Sequence, residues 1–289
     1  MTSRAFRQID VFGSGPFTGN PVAVVLGADD LDTEAMKRIS AWTNLSECTF
    51  VLEPTDPAAD YRVRIFSLST ELPFAGHPTL GTARAWLDAG GVPANAGRVI
   101  QECGVGLVPV RLDADGQTLA FAAPALIRGG EVEADVLADV VTILGIDAAD
   151  VVAAEWIDNG PGWIGVLLRD ADAVLAVTPD LGRAQGRGPA GTGAWSIGVV
   201  GPHTDGRAEA LEVRGFFTGG DSPLIEDPVT GSLNASIAQW LLRTERVSTP
   251  YTAIQGTKVG RDGRVHVTQA DGEVWVGGAT TVAITGTLS

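Results

Sequence analysis

Two short blocks of this 289-residue sequence each place one ionisable side chain beside a proline, a glycine and a hydroxyl residue. They are residues 76–82, GHPTLGT, and residues 226–232, EDPVTGS. Proline suits the first turn of a helix because its missing N–H would be unpaired there anyway. Each block therefore predicts a helix start, whose free backbone N–H groups and partial positive charge can hold a small carboxylate. His77 and Asp227 would stand beside that anion.

An ordinary structural role is the alternative for both blocks. Asp227, Thr230 and Ser232 are residue types that cap helices, so for Asp227 alone capping and function both stay open. His77 is one of three histidines and a poor cap, which favours a functional role. Gly81 and Gly231, the second glycine of the first block and the glycine of the second, would let a ligand approach the backbone.

The two blocks belong to an internal repeat. A shift of 150 residues without gaps places segment 63–85 on segment 213–235 with seven identities in 23 positions, where unrelated sequences give about one or two. The identical pairs are Val63/Val213, Arg64/Arg214, Phe66/Phe216, Pro73/Pro223, Pro78/Pro228, Gly81/Gly231 and Ala85/Ala235. One repeat near half the chain length predicts two similar domains, with His77 and Asp227 at equivalent positions facing one interdomain cleft.

Short apolar runs separated by Gly, Pro and Asp predict a chain rich in strands. One such run, 99–112, has a break at 104–106, and hairpin turns are predicted at 261–264 and 270–273. The first helix is predicted over 33–43, capped by Asp32, with Met36, Ile39 and Trp42 on one face. The seven scattered tryptophans fit a core better than a nucleic-acid platform.

Four runs of the sequence resemble the PhzF-like family of phenazine biosynthesis. They are 17–21 (FTGNP), 44–47 (NLSE), 73–81 (PFAGHPTLG) and 226–232 (EDPVTGS), and the resemblance covers essentially the whole chain. It implies an α+β fold of two pseudo-symmetric domains related to diaminopimelate epimerase, each a barrel-like, mostly antiparallel sheet around a central helix. We expect an N-terminal domain over 1–118, completed by the strand region 272–289, and a C-terminal domain over 119–271.

The resemblance also implies a cofactor-independent isomerase that moves a proton and a double bond on a small amino- or hydroxy-carboxylate, such as a dihydro-hydroxyanthranilate. Position alone predicts that Glu47 is a solvated carboxylate at a strand end, whereas the resemblance assigns it the acid/base role. Burial of a carboxyl group favours its protonated form, which suits it to take a proton and return it. His77 and Asp227 complete the expected catalytic set. The expected substrate-binding residues are Asn20, Ser46, Gly76, Gly231 and Ser232.

Two other functions stay open. Diaminopimelate epimerases and proline racemases place a cysteine at each central helix start, but Cys48 and Cys103 lie elsewhere and are predicted to be buried small hydrophobes. An epimerase or racemase would thus use bases other than cysteine, and a non-catalytic small-molecule-binding protein is the third interpretation. Segment 233–235, LNA, replaces the small-residue stretch common in phenazine-making relatives, so the substrate can differ.

Composition excludes several classes of protein. The net charge of −15 opposes binding to nucleic acid, which depends on Lys and Arg contacts to phosphates. No stretch approaches the roughly 20 apolar residues of a membrane span, and the N-terminus lacks a secretory signal. Two cysteines and no metal-ligand spacing predict a cytoplasmic protein without a metal site. Relatives in the family are commonly homodimers, so a homodimer is expected.

Overall fold

The computed structural model describes residues 3–114, 116–180, 182–184, 188–189, 192–218 and 224–289. The chain forms two compact units. The first contains Met1–Ala122 and Trp275–Ser289, and the second contains Ala123–Val274. These limits differ by three or four residues from the sequence-based division.

The described residues of the first unit form nine strands and two helices. The strands are β1 (Arg4–Val11), β2 (Asn20–Val25), β3 (Glu47–Leu52), β4 (Tyr61–Ser67), β5 (Thr70–Leu72), β6 (Arg98–Cys103), β7 (Gly106–Leu112), β8 (Thr118–Ala122) and β17 (Glu273–Leu288), which enters this unit at Trp275. The helices are α1 (Thr33–Thr43) and α2 (Gly76–Asp88).

Eight of these strands close into a barrel in the order β1-β2-β3-β4-β6-β7-β8-β17, because β17 pairs with β8 along its first half and with β1 along its second. All pairings are antiparallel except β2–β3 and β4–β6. Helix α2 contacts six of the barrel strands and is buried along most of its length, so it is the central helix. Helix α1 packs outside, over a cluster that includes Met36, Phe50 and Phe66.

The second unit repeats this order. Its strands are β9 (Arg128–Glu131), β10 (Val151–Asp158), β11 (Ile164–Leu168), β12 (Ser196–Pro202), β13 (Leu211–Phe217), β14 (Ile225–Asp227), β15 (Tyr251–Gln255) and β16 (Gly263–Ala270). Its helices are α3 (Ala134–Leu144), α4 (Ala171–Ala176) and α5 (Gly231–Arg243), with short 3₁₀ segments at Ala148–Asp150 and Thr257–Val259. The sheet runs β9-β10-β11-β12-β13-β15-β16, and its two parallel pairings, β11–β12 and β13–β15, occupy the same places as those of the first unit.

The repeat is visible in side-chain detail as well as in topology. Arg64 on β4 lies over the Phe66 ring at 5.2 Å, and Arg214 on β13 lies over the Phe216 ring at 4.9 Å. The two units therefore share one architecture, a barrel-like, mostly antiparallel sheet around a central helix, and the predicted α+β fold is confirmed.

Several local predictions are confirmed and others are wrong. Helix α1 starts after Asp32, whose carboxylate accepts a hydrogen bond from the Ala35 backbone N–H. The break at 104–106 separates β6 from β7, and Asp271-Gly272 forms the tight turn before β17, with φ of 57° and 82°. The turn at 261–264 is misplaced, since β16 already begins at Gly263 after the 3₁₀ segment.

The tryptophans only partly follow the core prediction. Five of them are buried: Trp156, Trp163, Trp195, Trp240 and Trp275. Trp86 is half-buried, and Trp42 is 83% exposed at the end of α1, so its assignment to the core is wrong. The α1 face that packs inward is carried by Met36 and Ile39. Trp42, six residues after Met36, is rotated about 120° away from it around the helix axis.

Candidate active site

In the first unit, the structure brings Glu47 and His77 into direct contact. Glu47 is the first residue of β3 and His77 the second residue of α2, and His77 Nε2 lies 3.3 Å from Glu47 Oε2. Only 16% of the Glu47 side chain and 6% of the His77 side chain are exposed. The expectation of a solvated strand-end carboxylate is therefore wrong, because α2 covers the start of the strand.

Burial determines the charge of His77. Removal from water disfavours the imidazolium and lowers the pKa of His77 to about 3, although a hydrogen bond to the Pro21 carbonyl acts in the opposite direction. The imidazole is consequently neutral at physiological pH. A neutral ring has one N–H donor and one free nitrogen acceptor, so His77 can either donate to or accept from the carboxyl group beside it.

A hydroxyl contact sets the register between β3 and α2. The Thr82 hydroxyl of α2 lies 2.8 Å from the Thr49 hydroxyl of β3 and 2.7 Å from the Pro78 carbonyl oxygen. Gly81 serves packing rather than ligand approach, since a Cβ there would lie 2.2 Å from Val22 Cγ1. This close contact between α2 and β2 holds the start of α2, with His77, next to the starts of β2 and β3, with Asn20 and Glu47.

Asn20 joins this group from the start of β2. It is fully buried, and its Nδ2 lies 3.5 Å from His77 Nδ1. The loop before it wraps around the buried Asp10, whose carboxylate accepts hydrogen bonds from the backbone N–H groups of Thr18 and Gly19. A Cβ at Gly19 would lie 2.1 Å from the Val11 carbonyl oxygen, so only glycine allows this loop to deliver Asn20 to the histidine.

In the second unit, Asp227 is buried at the end of β14, just before α5. The Thr230 hydroxyl donates a 2.6 Å hydrogen bond to Asp227 Oδ2. Thr230 is the N-cap residue of α5, but its side chain makes no capping hydrogen bond. Its hydroxyl is directed to Asp227 instead.

Gln255 fastens this arrangement from β15. The side chain is fully buried, and its Oε1 accepts from the Thr230 backbone N–H at 3.0 Å and from Asn234 Nδ2 at 2.8 Å. Its Nε2 donates to Thr230 Oγ1 at 2.9 Å and to the Asp227 carbonyl at 3.2 Å. Asn234, at the point where the sequence departs from phenazine-making relatives, thus belongs to this network.

The remaining expected substrate-binding residues lie near these two groups. Gly76 and Gly231 are the first residues of α2 and α5, and both are buried. Ala75, the N-cap of α2, also makes no side-chain capping bond, so neither N-cap side chain occupies the first-turn N–H groups. Ser46 is half-buried immediately before β3, and the Ser232 hydroxyl accepts a 3.1 Å hydrogen bond from Trp163 Nε1.

The cysteines differ from the expected pair of buried hydrophobes. Cys48 is fully buried, and burial raises the pKa of its thiol to about 12. Cys103 is half-exposed at the end of β6, so the prediction is wrong for that residue, although partial burial still raises the pKa of its thiol. Neither thiol is poised as a nucleophile or base at neutral pH.

Sequence reasoning missed two buried glutamines among the described residues. Gln255 in the second unit has a counterpart in Gln101 of β6, also fully buried, whose Nε2 donates to Thr79 Oγ1 while its Oε1 accepts from the Tyr61 hydroxyl. The signal was present in the sequence, because Ile100-Gln101 and Ile254-Gln255 repeat at a shift of 154. That shift differs by four from the shift of the main repeat, which hid the match.

Two kinds of feature are absent from the described part of the chain. No three His, Cys, Asp or Glu side chains among the described residues are grouped so that they could hold a metal ion. No described helix is both long enough and apolar enough to cross a membrane.

The chain is similar to known proteins over nearly its whole length. The family model "PhzC-PhzF: Phenazine biosynthesis-like protein" matches residues 9–287. Antisense-enhancing sequence 1 of Schizosaccharomyces pombe is 35% identical, covering 99% of each chain. The trans-2,3-dihydro-3-hydroxyanthranilate isomerase of Pseudomonas aeruginosa is 34% identical, covering 89% of this chain and 87% of that one.

Among solved structures, a predicted epimerase from Pseudomonas aeruginosa superimposes with a TM-score of 0.79 at 28% identity, covering 99% of both chains. The relatives named as isomerases match over most of their length. On the family match across nearly the whole chain, this protein belongs to the phenazine biosynthesis-like PhzC-PhzF family and is an isomerase of that family.

Proposed function

We propose that the protein is a cofactor-independent isomerase that shifts a proton, and with it a double bond, within a small amino- or hydroxy-carboxylate. The observation that carries this proposal is the buried contact between Glu47 and the neutral imidazole of His77. A carboxylate with little water around it is a stronger base than a solvated one, and a neutral neighbour leaves that basicity intact. Proton transfer of this kind needs no cofactor.

Glu47 takes the proton in this mechanism. In the first step its carboxylate removes a proton from an sp³ carbon of the substrate, and the electron pair left behind delocalises into the adjacent double bond. In the second step the same carboxylic acid returns the proton to a different carbon, so the double bond moves and the carboxylate is restored. His77, beside Oε2, accepts or donates a hydrogen bond as Glu47 changes its protonation state.

A substrate carboxylate is a ligand for the N–H groups at a helix start, and in each unit the N-cap side chain leaves those of the central helix unoccupied. At the start of α5, Trp163 donates to the Ser232 hydroxyl and leaves its proton available to such an anion. A trans-2,3-dihydro-3-hydroxyanthranilate is the first compound to test, because a relative 34% identical over most of both chains is named for its isomerisation.

Glu47→Gln tests the proposal. We expect turnover of the dihydro compound to fall by about 10³-fold or more, since a positioned acid/base group contributes about 10²–10⁴-fold, while binding of 2-amino-3-hydroxybenzoate persists. Glu53→Gln, at an exposed residue just beyond the far end of the same strand, is the matched control and keeps wild-type turnover. A Glu47→Gln protein that retains a tenth of the rate contradicts the assignment.

A label distinguishes the two remaining functions. When one base moves the proton, substrate deuterated at the reacting carbon gives product that keeps part of its label in ordinary water. An epimerase with two bases on opposite faces would instead exchange the label with solvent and return the same double-bond position. No turnover, with tight binding of the aromatic probe, would indicate a binding protein.

A further inference from the structure

A cavity of about 760 Å³ on the first unit lies outside the candidate active site, since neither Glu47 nor His77 lines it. Its floor is the outer face of the sheet. Tyr61 of β4 packs against Trp86 of the central helix, so the side chain of the next residue, Arg62, is on the opposite face. A cavity of this size can hold a small organic molecule.

The cavity has one rigid wall and a lining of mixed character. At the turn between β6 and β7, a Cβ on Gly104 would lie 2.7 Å from Pro73 Cα, so this wall has no room to move inward. Apolar side chains are contributed by Leu31, Leu52 and Leu72. Charged side chains are contributed by Asp29, Arg62, Arg64, Glu71 and Glu102. The lining therefore offers both an apolar surface and ionic contacts.

Three of these charged groups are already bound by the protein. Arg64 and Glu71 form a bidentate ion pair with each other. Both carboxylate oxygens of Glu102 accept hydrogen bonds from residues 55 and 56. Arg62 differs from them, because its buried Nε has no hydrogen-bond partner among the described residues. A buried donor without an acceptor is costly, so this position favours an acceptor that enters the cavity.

The second unit fills the equivalent position with its own side chains. The repeat shift of 150 places Arg62 on Glu212, and each is the second residue of its strand, β4 or β13. Glu212 is buried, accepts a 2.6 Å hydrogen bond from the Thr257 hydroxyl, and has an oxygen 3.3 Å from His203 Nε2. The second unit thus satisfies this position internally, whereas the first leaves it to a group from outside the chain.

Asp29 provides an opposite charge at the same cavity. Its Oδ1 accepts from the Glu53 backbone N–H at 2.9 Å, which fixes the carboxylate beside the end of β3. Leu52, the last residue of that strand, is the register partner of Arg62. A guanidinium and a carboxylate consequently stand at one end of β3, on either side of an apolar residue.

We infer that this cavity binds an apolar α-amino acid. The ligand carboxylate accepts hydrogen bonds from Arg62, whose planar guanidinium matches a carboxylate. The ligand ammonium group binds Asp29, and its side chain packs against the three leucines of the lining. This site is independent of the proposed isomerase function.

L-phenylalanine is the probe, together with two analogues that each lack one of its charges. The analogues are 3-phenylpropanoate, without the ammonium group, and 2-phenylethylamine, without the carboxylate. Isothermal titration calorimetry gives the dissociation constants. We expect L-phenylalanine to bind about 10-fold or more tightly than either analogue, the size of one hydrogen bond to a charged group.

Cys103 reports whether the probe is in this cavity. It lines the cavity and is half-exposed, whereas Cys48 is fully buried. The rate at which N-ethylmaleimide alkylates Cys103 is measured by mass spectrometry, with and without L-phenylalanine. At ten times its dissociation constant, the probe should slow alkylation by about 10-fold, the factor expected from its occupancy.

Three variants test the two ionic contacts. Arg62→Met should weaken L-phenylalanine binding by about 10-fold or more. Asp29→Asn, at an exposed residue, keeps an oxygen for the Glu53 N–H and should weaken L-phenylalanine by about threefold while leaving 3-phenylpropanoate unchanged. Arg98→Met removes an exposed arginine of β6 outside the cavity. It controls for net charge and keeps wild-type binding.

Protection of Cys103 by L-phenylalanine that is weakened in Arg62→Met and in Asp29→Asn supports the inference. Unprotected Cys103 in the wild-type protein overturns it, and so does wild-type protection in the folded variants. If Arg62→Met fails to fold, Asp29→Asn alone decides. Protection by 3-phenylpropanoate as strong as that by L-phenylalanine would indicate a site for plain carboxylates and also overturns it. Turnover of the dihydro compound is measured separately, so failure of the proposed function is not confused with failure of this one.

Discussion

The starts of α2 and α5 occupy the same place in two similar units, yet they control an ionisable side chain in opposite ways. At α2, His77 lies beside Glu47, Asn20 and the Pro21 carbonyl, and burial keeps its ring neutral because it outweighs the hydrogen bond to that carbonyl. At α5, Asp227 is equally buried but receives the Thr230 hydroxyl, with Gln255 and Asn234 behind it. Burial thus dominates the state of the histidine, whereas a chain of hydrogen bonds ends on the aspartate. A duplicated architecture can carry two different chemistries once its polar surroundings diverge.

The same divergence appears on the outer faces of the two sheets. Arg64 and Arg214 are repeat partners, and each forms a bidentate ion pair. Arg64 pairs with Glu71, and Arg214 pairs with Glu226. Arg214 is almost fully buried and also donates to the Val174 and Val177 carbonyls at the end of α4. Arg64 keeps 26% of its side chain exposed and reaches only the Thr33 hydroxyl of α1.

Replacing these two arginines by methionine should give the largest contrast. Arg214→Met leaves Glu226 unpaired and two carbonyls without a donor, so we expect the free energy of unfolding to fall by about 3–5 kcal/mol. Arg64→Met should lower it by about 1 kcal/mol or less, because a solvated pair contributes little. Urea unfolding monitored by circular dichroism measures both. Equal losses in the two variants would contradict the distinction between them.

A second contrast concerns how each central helix meets its sheet. In the first unit the glycine at this contact is on the helix, where Gly81 of α2 faces the Val22 side chain. In the second unit the glycine is on the strand, where Gly198 of β12 faces the end of the Leu233 side chain. We expect Gly81→Ala to lower the free energy of unfolding by about 2–3 kcal/mol, since a β-branched neighbour cannot rotate away. Gly198→Ala should cost about 1 kcal/mol or less, because leucine can change rotamer. The same urea titrations measure both losses, and a larger loss in Gly198→Ala than in Gly81→Ala would contradict this explanation.

The third prediction concerns how the burial of His77 makes the free energy of unfolding depend on pH. The pKa of His77 is lowered to about 3 in the folded protein from 6.5 in the unfolded chain. The unfolded chain therefore binds the proton first, and the stability present above pH 6.5 is lost as the pH falls towards 3. Between pH 6.5 and 4.5 this loss is about 2 kcal/mol.

A His77→Gln protein should lack this loss, so its stability falls less steeply than that of wild type when urea unfolding is repeated at several pH values. His266→Gln removes an exposed histidine and serves as the control for the loss of one imidazole. Parallel curves for wild type and His77→Gln would show that the imidazole is not held neutral by burial.

Much of the fold was accessible from sequence because it depends on local chemistry. Asp32 caps α1 as its residue type predicts, and the repeat of 63–85 in 213–235 anticipated two units with the same strand order. Proline and glycine placement correctly predicted the helix start at His77, where Pro78 lies in the first turn of α2. It was wrong in detail for the second block, because α5 begins at Gly231, three residues after Pro228, and Asp227 ends β14. The roles of Glu47, His77 and Asp227 in the reaction stay predictions.

Other features could not be found this way because they depend on what the folded chain places next to a residue. Gln255 belongs to a residue type that is usually exposed, and only the folded chain shows that its amide binds four partners. Gly81 suggested room for a ligand, whereas the space is filled by Val22. Trp42 was expected on the same helix face as Met36 and Ile39, but the folded helix leaves 83% of it exposed.

The position of β17 has a consequence for how the protein is made. Seven strands of the first barrel come from residues before 123, and the eighth, β17, comes from residues after 274. A ribosome synthesising this chain releases all of the second unit before the strand that pairs with both β1 and β8 emerges. The edges of β1 and β8 must wait unpaired during that interval, so the unit that starts first is the one that finishes folding last.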